Sequence, residues 1–292
     1  MPDPEAVVVG GGPAGLCAGL QLARAGYRTV LIGKDRLGGQ ARFLGKIENY
    51  PGFPSGVDGG VLMDRFIRQA RRWGLRTVRA EVRTVAWGRS GFKLELTGRR
   101  RLWTRAVVFC PGAVSRNLDL AAARRLWGRG VHNAAFDDAA RWRGRDVAVA
   151  GGGEAAAHQA LALARHARRV YLVCRGDGLK AHRLLQQRLR RCPRLVKVMG
   201  ARVRALRGAR QLEAMQLEGR RGRIWLRVGA LFVLVGKKPA VRPWPKGRTP
   251  SGFFVAGDAS GDVPRQVVIA AGEGMKAAMR CMAFLEGRPE PA

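Results

Sequence analysis

The chain has 292 residues, 47% of them apolar, with 40 glycines spread along its length. That length suits two domains of ordinary size, and the composition excludes a disordered or fibrous chain. The formal net charge is +33, and only nine of the 54 basic residues are lysine. Most of this excess reads as a solvated surface. The functional alternative is a field that draws in acidic carriers, nucleic acid or anionic lipid. The five cysteines, Cys17, Cys110, Cys174, Cys192 and Cys281, contain no Cys-x-x-Cys pair. Their odd count and irregular spacing argue against a disulfide framework or a zinc site. A reducing, cytoplasmic location is expected. No apolar run approaches the roughly 20 residues that span a bilayer, so no membrane insertion is expected. The acidic start, Met1 to Glu5, is unlike a signal peptide.

The elements begin with an apolar run, Ala6 to Val9. It leads into Gly10-Gly11-Gly12-Pro13-Ala14-Gly15 and then a helical pattern with Leu16, Leu20 and Ala23 on one face. Gly26 stops that helix and Thr29 to Ile32 reads as a second strand, which completes a β-α-β unit. Val61 to Trp73 reads as a helix. Short strands from Thr77 to Val108, punctuated by Gly88, Gly91 and Gly98, read as a small antiparallel sheet. The first grammar then returns: strand Asp146 to Ala150, turn Gly151-Gly152-Gly153-Glu154-Ala155-Ala156, helix His158 to His166, strand Val170 to Val173. A second strand run spans Val196 to Val235. The chain closes with Phe253 to Ala256, Gly257-Asp258 and a helix over Val267 to Leu285. Two such units about 140 residues apart imply two nucleotide domains, with crossings near Gly112 and Pro239.

In the first turn Gly10, Gly12 and Gly15 hold the three spaced positions of a dinucleotide fingerprint. The first permits the tight turn, the second lets the backbone approach a pyrophosphate, and the third lets helix and strand pack closely. The phosphate then meets the free N–H groups at the helix start. The carboxylate usual at the end of the second strand, which binds a ribose, is replaced by Gly33, with Asp35 beyond the strand end. Such a charged hydrogen bond contributes about 1.5–3 kcal/mol; Asp35 or a water is left to replace it. The second turn, Gly151 to Ala156, with Gly151, Gly153, Glu154 and Ala155 leading to Ala156, is the variant with alanine at the third small position. The following strand ends at Cys174-Arg175, and Lys180 follows a turn later. With no acid there, Arg175 and Lys180 suit a 2′-phosphate, which favours NADPH, with NADH as the alternative.

These residues, together with Gly38-Gly39-Gln40, the run Ile47-Glu48-Asn49-Tyr50-Pro51-Gly52-Phe53-Pro54, Gly128-Arg129-Gly130-Val131, Gly257-Asp258, Arg265-Gln266 and Ala271-Gly272-Glu273-Gly274, resemble the low-molecular-weight thioredoxin reductases. The resemblance runs in order along nearly the whole chain. It implies an α/β fold of two Rossmann-like, three-layer ββα domains. A discontinuous FAD domain, 1–112 and 240–292, would carry an inserted NAD(P)H domain, 113–239. It implies FAD contacts at Gly10, Gly12, Ala14, Gly15, Gly39, Gln40, Asn49, Val82, Gly112 and Gly257. Asp258 would bond the ribityl chain, and Arg265, Gln266 and Val267 would lie along the flavin ring. NADPH contacts are implied at Gly151, Gly153, Glu154, Ala155, Arg175 and Lys180. A homodimer is implied as well.

The departures carry equal weight. Aligned on Gly130-Val131 and Gly144, the family's Cys-x-x-Cys-Asp is here Ala134-Ala135-Phe136-Asp137-Asp138. Only the trailing acid remains, so electrons cannot leave through a dithiol at this place. Asp138, Asp137 and His132 are the candidate acid–base groups, with a cap or a solvated pocket as the plainer role for Asp137. The family's Thr-Gly is Pro111-Gly112, its histidine and second arginine after the NADPH strand are Cys174 and Gly176, and the stretch from Pro239 to Ser251 is short. Three readings stand: reduction of an acidic ferredoxin- or flavodoxin-type carrier; reduction of a quinone, oxygen or external disulfide; or a non-catalytic paralogue that binds a nucleotide, a protein or nucleic acid. The remaining histidines, His158, His166 and His182, read as surface residues with no metal-ligand spacing, and Trp73, Trp87, Trp103 and Trp142 read as packing.

Overall fold

The computed structural model describes residues 2–88, 90–133, 139–241, 249–261 and 264–289. In chain order the elements are β1 (Ala6–Val9), α1 (Pro13–Arg24), β2 (Thr29–Gly33), β3 (Lys46–Ile47), β4 (Val57–Asp58), α2 (Gly59–Arg72), β5 (Arg76–Arg79), β6 (Val82–Gly88), β7 (Gly91–Leu96), β8 (Arg101–Thr104), β9 (Ala106–Phe109) and β10 (Ala113–Ser115). They continue with α3 (Ala121–Arg125), β11 (Val131–His132), β12 (Asp146–Ala150), α4 (Glu154–Ala164), β13 (Arg169–Val173), α5 (Arg183–Arg190), β14 (Leu195–Val198), β15 (Ala201–Arg207), β16 (Ala214–Gly219), β17 (Gly222–Arg227), β18 (Ala230–Val233), β19 (Lys237–Pro239), β20 (Phe253–Val255) and α6 (Val267–Leu285). The chain forms two compact units, Met1–Val114 with Pro239–Ala292, and Ser115–Lys238.

The first unit is built on a five-stranded parallel sheet, order β20-β9-β1-β2-β5. Strands β1 and β9 read Ala-Val-Val-Val and Ala-Val-Val-Phe and are buried throughout. A strand covered on both faces has no use for alternating polarity. The alternation appears in what each face touches. Ala6 and Val8 join a core with α1, α2 and α6, whereas Val7 and Val9 join a core with the antiparallel sheet β6-β7-β8. Helix, parallel sheet and antiparallel sheet make the three layers.

The second unit repeats this plan. Its parallel sheet has the order β11-β18-β12-β13-β14. Val147 and Val149 face α4 and α5; Ala148 and Ala150 face the antiparallel sheet β15-β16-β17. Sheet strands and final helix lie where the hydrophobic pattern predicts them. Two helices begin earlier. Helix α2 starts at Gly59 because Asp58 caps it, accepting from Gly60 N at 2.8 Å and Val61 N at 3.2 Å. Helix α4 starts at Glu154, directly after the glycine turn, and stops at Ala164. Among the described residues no helix is long and apolar enough to cross a membrane.

Candidate functional site

In the first unit the turn between β1 and α1 is shaped by backbone contacts that only glycine permits. Gly10 has φ +113°, and a Cβ there would lie 2.0 Å from the Cys110 carbonyl oxygen. A Cβ on Gly15 would lie 1.9 Å from the Gly10 oxygen. Gly12 differs: no atom lies within 4 Å of where its Cβ would stand, and its φ of −79° is open to any residue. Gly12 is also the N-cap of α1, and no side chain caps that helix start. The start of α1 therefore has no side-chain cap, and the space beside Gly12 is open. This is what an anion at a helix N-terminus requires.

The second unit repeats the arrangement. A Cβ on Gly151 would lie 2.4 Å from the Leu234 carbonyl oxygen. Gly153 has open space beside it and is the N-cap of α4 without a side-chain cap. Glu154 opens the helix and Ala155 is exposed in its first turn. Both turns thus fit a dinucleotide pyrophosphate by the same test, tight at the first glycine and open at the middle one.

Two glycines from distant segments close on the first turn, and other candidate residues pair with one another. Gly39, at φ +56°, would place a Cβ 2.9 Å from Gly12 Cα. Gly257, at φ +69°, would place one 2.8 Å from Ala14 Cβ. Gln40 donates through Nε2 to the Ala113 carbonyl oxygen. Asn49 donates through Nδ2 to Gln266 Oε1 at 3.0 Å. Arg265 Nε and Asp258 Oδ2 are 3.9 Å apart. Helix α6 then begins at Val267, with Gln266 as an N-cap whose side chain does not cap the helix. Residues 48–54 line a cavity of about 360 Å³. Gly112 is left-handed at φ +76°. Val82 begins β6 and is buried in the core beneath the antiparallel sheet.

Gly33 closes β2, and Asp35 is exposed beyond it. Leu37 fills the neighbouring space: its Cδ2 is 2.9 Å from a Cβ built on Gly33 and 2.6 Å from one on Gly11. A carboxylate at position 33 would need Leu37 to move. Arg42, 8% exposed, holds this loop; its Nε donates to the Leu37 carbonyl oxygen at 2.6 Å and its NH2 to Asp64 Oδ1 at 2.6 Å. The fingerprint carries no sign of Arg42, because its partner stands 22 residues away on α2.

In the second unit Arg175 lies past the end of β13 and lines a cavity of about 390 Å³ with Gly200, Ala201, Arg202, Glu218 and Gly219. Lys180 is exposed, and its N–H donates to the Gly152 oxygen at 2.7 Å. Cys174 takes the space beside the turn, with Sγ 2.4 Å from a Cβ built on Gly152. Arg202 comes from β15, 27 residues after Arg175; sequence reading missed it, and strand pairing is the only signal that places it there. His132 ends β11, its ring stacked on Phe232 at 5.6 Å and edge-on to Trp142 at 5.6 Å. Asp137 and Asp138 lie outside the described residues. Of the other histidines, His182 is an exposed N-cap of α5, accepting from Leu185 N at 3.4 Å; His158 and His166 are half-buried. No group of three metal-ligating residues occurs among the described residues.

A family model described as pyridine nucleotide-disulphide oxidoreductase matches residues 4–274. The chain is 34% identical over 295 residues to a bifunctional thioredoxin reductase/thioredoxin of Mycobacterium leprae, spanning 94% of this chain and 64% of that protein. It is 28% identical to a thioredoxin reductase of Rickettsia conorii, spanning 96% of this chain and 98% of the relative. Among solved structures, thioredoxin reductase of Lactococcus lactis superposes with a TM-score of 0.92 at 25% identity, covering 97% of this chain and 99% of the other.

Proposed function

The chain belongs to the pyridine nucleotide-disulphide oxidoreductase family, and we propose that it carries electrons from NADPH through FAD to an acceptor other than a dithiol of its own. It is a thioredoxin reductase-like, FAD-dependent NAD(P)H oxidoreductase, and thioredoxin reductases of this family bind FAD and NADPH. The observation that supports the proposal is the pair of uncapped helix starts, each with an open middle glycine, in a chain that has no Cys-x-x-Cys.

In this reading the turn Gly10, Gly12, Ala14, Gly15 holds the FAD pyrophosphate on the α1 N-terminus. Gly39, Gln40, Asn49, Val82, Gly112 and Gly257 shape the rest of the FAD site, and Asp258 accepts a hydrogen bond from the ribityl chain. FAD held by these residues would supply two-electron chemistry, as the group that accepts a hydride from NADPH and gives electrons up to the acceptor. Arg265, Gln266 and Val267 stand at the positive end of a 19-residue helix, α6. That end favours negative charge beside it, so these residues would favour electron density on a flavin ring held there. Gly151, Gly153, Glu154 and Ala155 form the NADPH turn, with Arg175 and Lys180 selecting the 2′-phosphate. Asp138, Asp137 and His132 are the proposed proton-handling groups.

The acceptor we favour is an acidic ferredoxin- or flavodoxin-type carrier. The net charge of +33 supports that choice through the attraction of opposite fields. The working form is a cytoplasmic homodimer with the FAD domain at 1–112 and 240–292 and the NAD(P)H domain at 113–239. The test is an anaerobic NADPH titration of purified protein, followed by a panel of acceptors. Yellow protein that bleaches with NADPH and reoxidises faster with an acidic carrier is the expected result. Colourless protein that cannot be loaded with FAD overturns the reading; preference for quinone or oxygen overturns the choice of acceptor.

A further inference from the structure

The antiparallel sheet of the second unit ends in a strand that is exposed almost everywhere. In β17 only Leu226 is half-buried. The strand pairs with β16 on one side and has no strand on the other among the described residues. Register places Arg207, the buried Ala214 and Arg227 in one row, Ala205, Gln216 and Trp225 in the next, and Arg202, Glu218 and Arg223 in a third, all on the face opposite the core residues Met215 and Leu217. Trp225 is 44% exposed at the centre of this face, with the Arg207 guanidinium 5.0 Å from its ring centroid. The one acid in these rows, Glu218, is already held by Arg202 at 2.6 Å and Arg223 at 2.7 Å. On the opposite face Ile224 pairs with Leu217, which is buried, yet is itself 53% exposed. The hairpin before the strand adds Arg220 and Arg221.

We infer that the free edge of β17 is a docking site for an extended, acidic segment of a partner protein, which adds as a fourth strand beside it. Three features select this occupant. An unpaired strand edge offers alternating N–H and C=O groups, which match another polypeptide backbone. Side chains of an added strand alternate between faces, so one set would cover Trp225 and reach Arg223 and Arg227 while the other covers Ile224. Arginine and tryptophan are the side chains that most often anchor protein interfaces. A second copy of this chain is disfavoured, because its own β17 would set arginine against arginine. Charge alone is the common guard of a free edge, but a guard does not need Ile224 and Trp225 exposed. A nucleic acid would use the charge and Trp225, and would leave the backbone edge and Ile224 unserved. The inference concerns binding and stands apart from which acceptor the flavin reduces.

The experiment measures anisotropy of a short, fluorescein-labelled peptide that alternates glutamate and valine, added to the full-length protein. Binding is expected, weakening as salt is raised and falling about tenfold or more in Arg223→Glu and in Trp225→Ala. A fully N-methylated form of the same peptide keeps its charge and loses its backbone donors. On the unaltered protein it is expected to lose binding by a similar factor. Equal binding of the two peptides, or variants that bind like the original, overturns strand addition. Displacement of the peptide by oligothymidylate that binds more tightly, and is itself weakened by both substitutions, overturns it in favour of nucleic acid. None of these readouts involves electron transfer, so a failure here leaves the flavin reading standing, and the reverse.

Discussion

Asn49 on the loop after β3 donates to Gln266, the residue that opens α6, at 3.0 Å. The bond joins segments 217 residues apart, and both residues carry proposed flavin contacts. Removing either amide leaves the other without this partner at the mouth of the site. Asn49→Leu and Gln266→Leu are each expected to weaken FAD binding by about three- to tenfold, from a net hydrogen-bond contribution of about 0.5–1.5 kcal/mol. Flavin fluorescence during reconstitution of the apoprotein measures this. An unchanged dissociation constant in both variants removes the pair from the flavin site.

The glycines of each turn separate folding from binding. At Gly15 and at Gly274 an added methyl would meet backbone, 1.9 Å from the Gly10 oxygen and 2.0 Å from the Ala14 oxygen. Backbone cannot yield as a side-chain end can, so α1 would be pushed from β1 or α6 from α1. Gly15→Ala and Gly274→Ala are each expected to cost about 1–3 kcal/mol of stability, read as a lowered melting temperature of the apoprotein. Gly12→Ala meets no protein atom. Its apoprotein is expected to melt like the unaltered chain and yet retain little FAD, because the methyl stands where the pyrophosphate approaches. Gly153→Ala is expected to repeat this split for NADPH. Normal FAD retention in Gly12→Ala would refute the placement of the cofactor.

How much of this was legible in the sequence follows from the range of each interaction. The turns were legible because strand, glycines and helix are contiguous, and their geometry is decided within a few residues. Helix α6 was legible from its long apolar pattern, which continues past Gly272 and Gly274 and contains no proline. The start of α2 was missed because Asp58 precedes Gly59 and Gly60, two residues that argue against a helix until the cap is seen. Leu37 over Gly33, Arg42 beneath the loop and Arg202 beside Arg175 were missed for a different reason. Each depends on packing or pairing between separate elements, which periodicity does not encode. The family resemblance supplied the order of the motifs, and Asp137 and Asp138 rest on it alone.

Arg42 and Asp64 give a pH-dependent handle on the loop that carries Gly38 and Gly39. The hydrogen bond from the Arg42 guanidinium is the main cause that holds the Asp64 carboxyl below its ordinary value of 3.8. A carboxyl depressed in the folded state adds stability above its unfolded pKa, and that contribution is lost as pH falls through the folded value. Asp64→Asn is therefore expected to be the less stable protein near neutrality, by a small margin because Asp64 is exposed. The gap should close as the pH is taken below 3.8. Parallel denaturant titrations at pH 7 and at decreasing acidic pH test this. A gap that is constant across the range would show that the ion pair does not contribute.

The thiols provide the sharpest test of an electron path without cysteine. Burial pushes Cys17 and Cys281 up to about 12, and it pushes the fully buried Cys110 upward as well. At pH 8 these three are protonated, and the thiolate is the form that attacks a disulfide or an alkylating agent. Cys174 is buried against Gly152, and Cys192 is half-buried and packs against the core of the second unit. A reductase that passes electrons through a dithiol exposes a reactive thiol once NADPH has reduced it, and alkylation then stops turnover. Here NADPH-reduced and oxidised protein are expected to lose activity equally, and little, when treated with iodoacetamide at pH 8. Turnover would be measured with ferricyanide as acceptor, and alkylated positions read by mass spectrometry. Selective inactivation of the reduced protein, with a label on any of the five cysteines, would place a thiol on the electron path and end the case for a non-dithiol outlet.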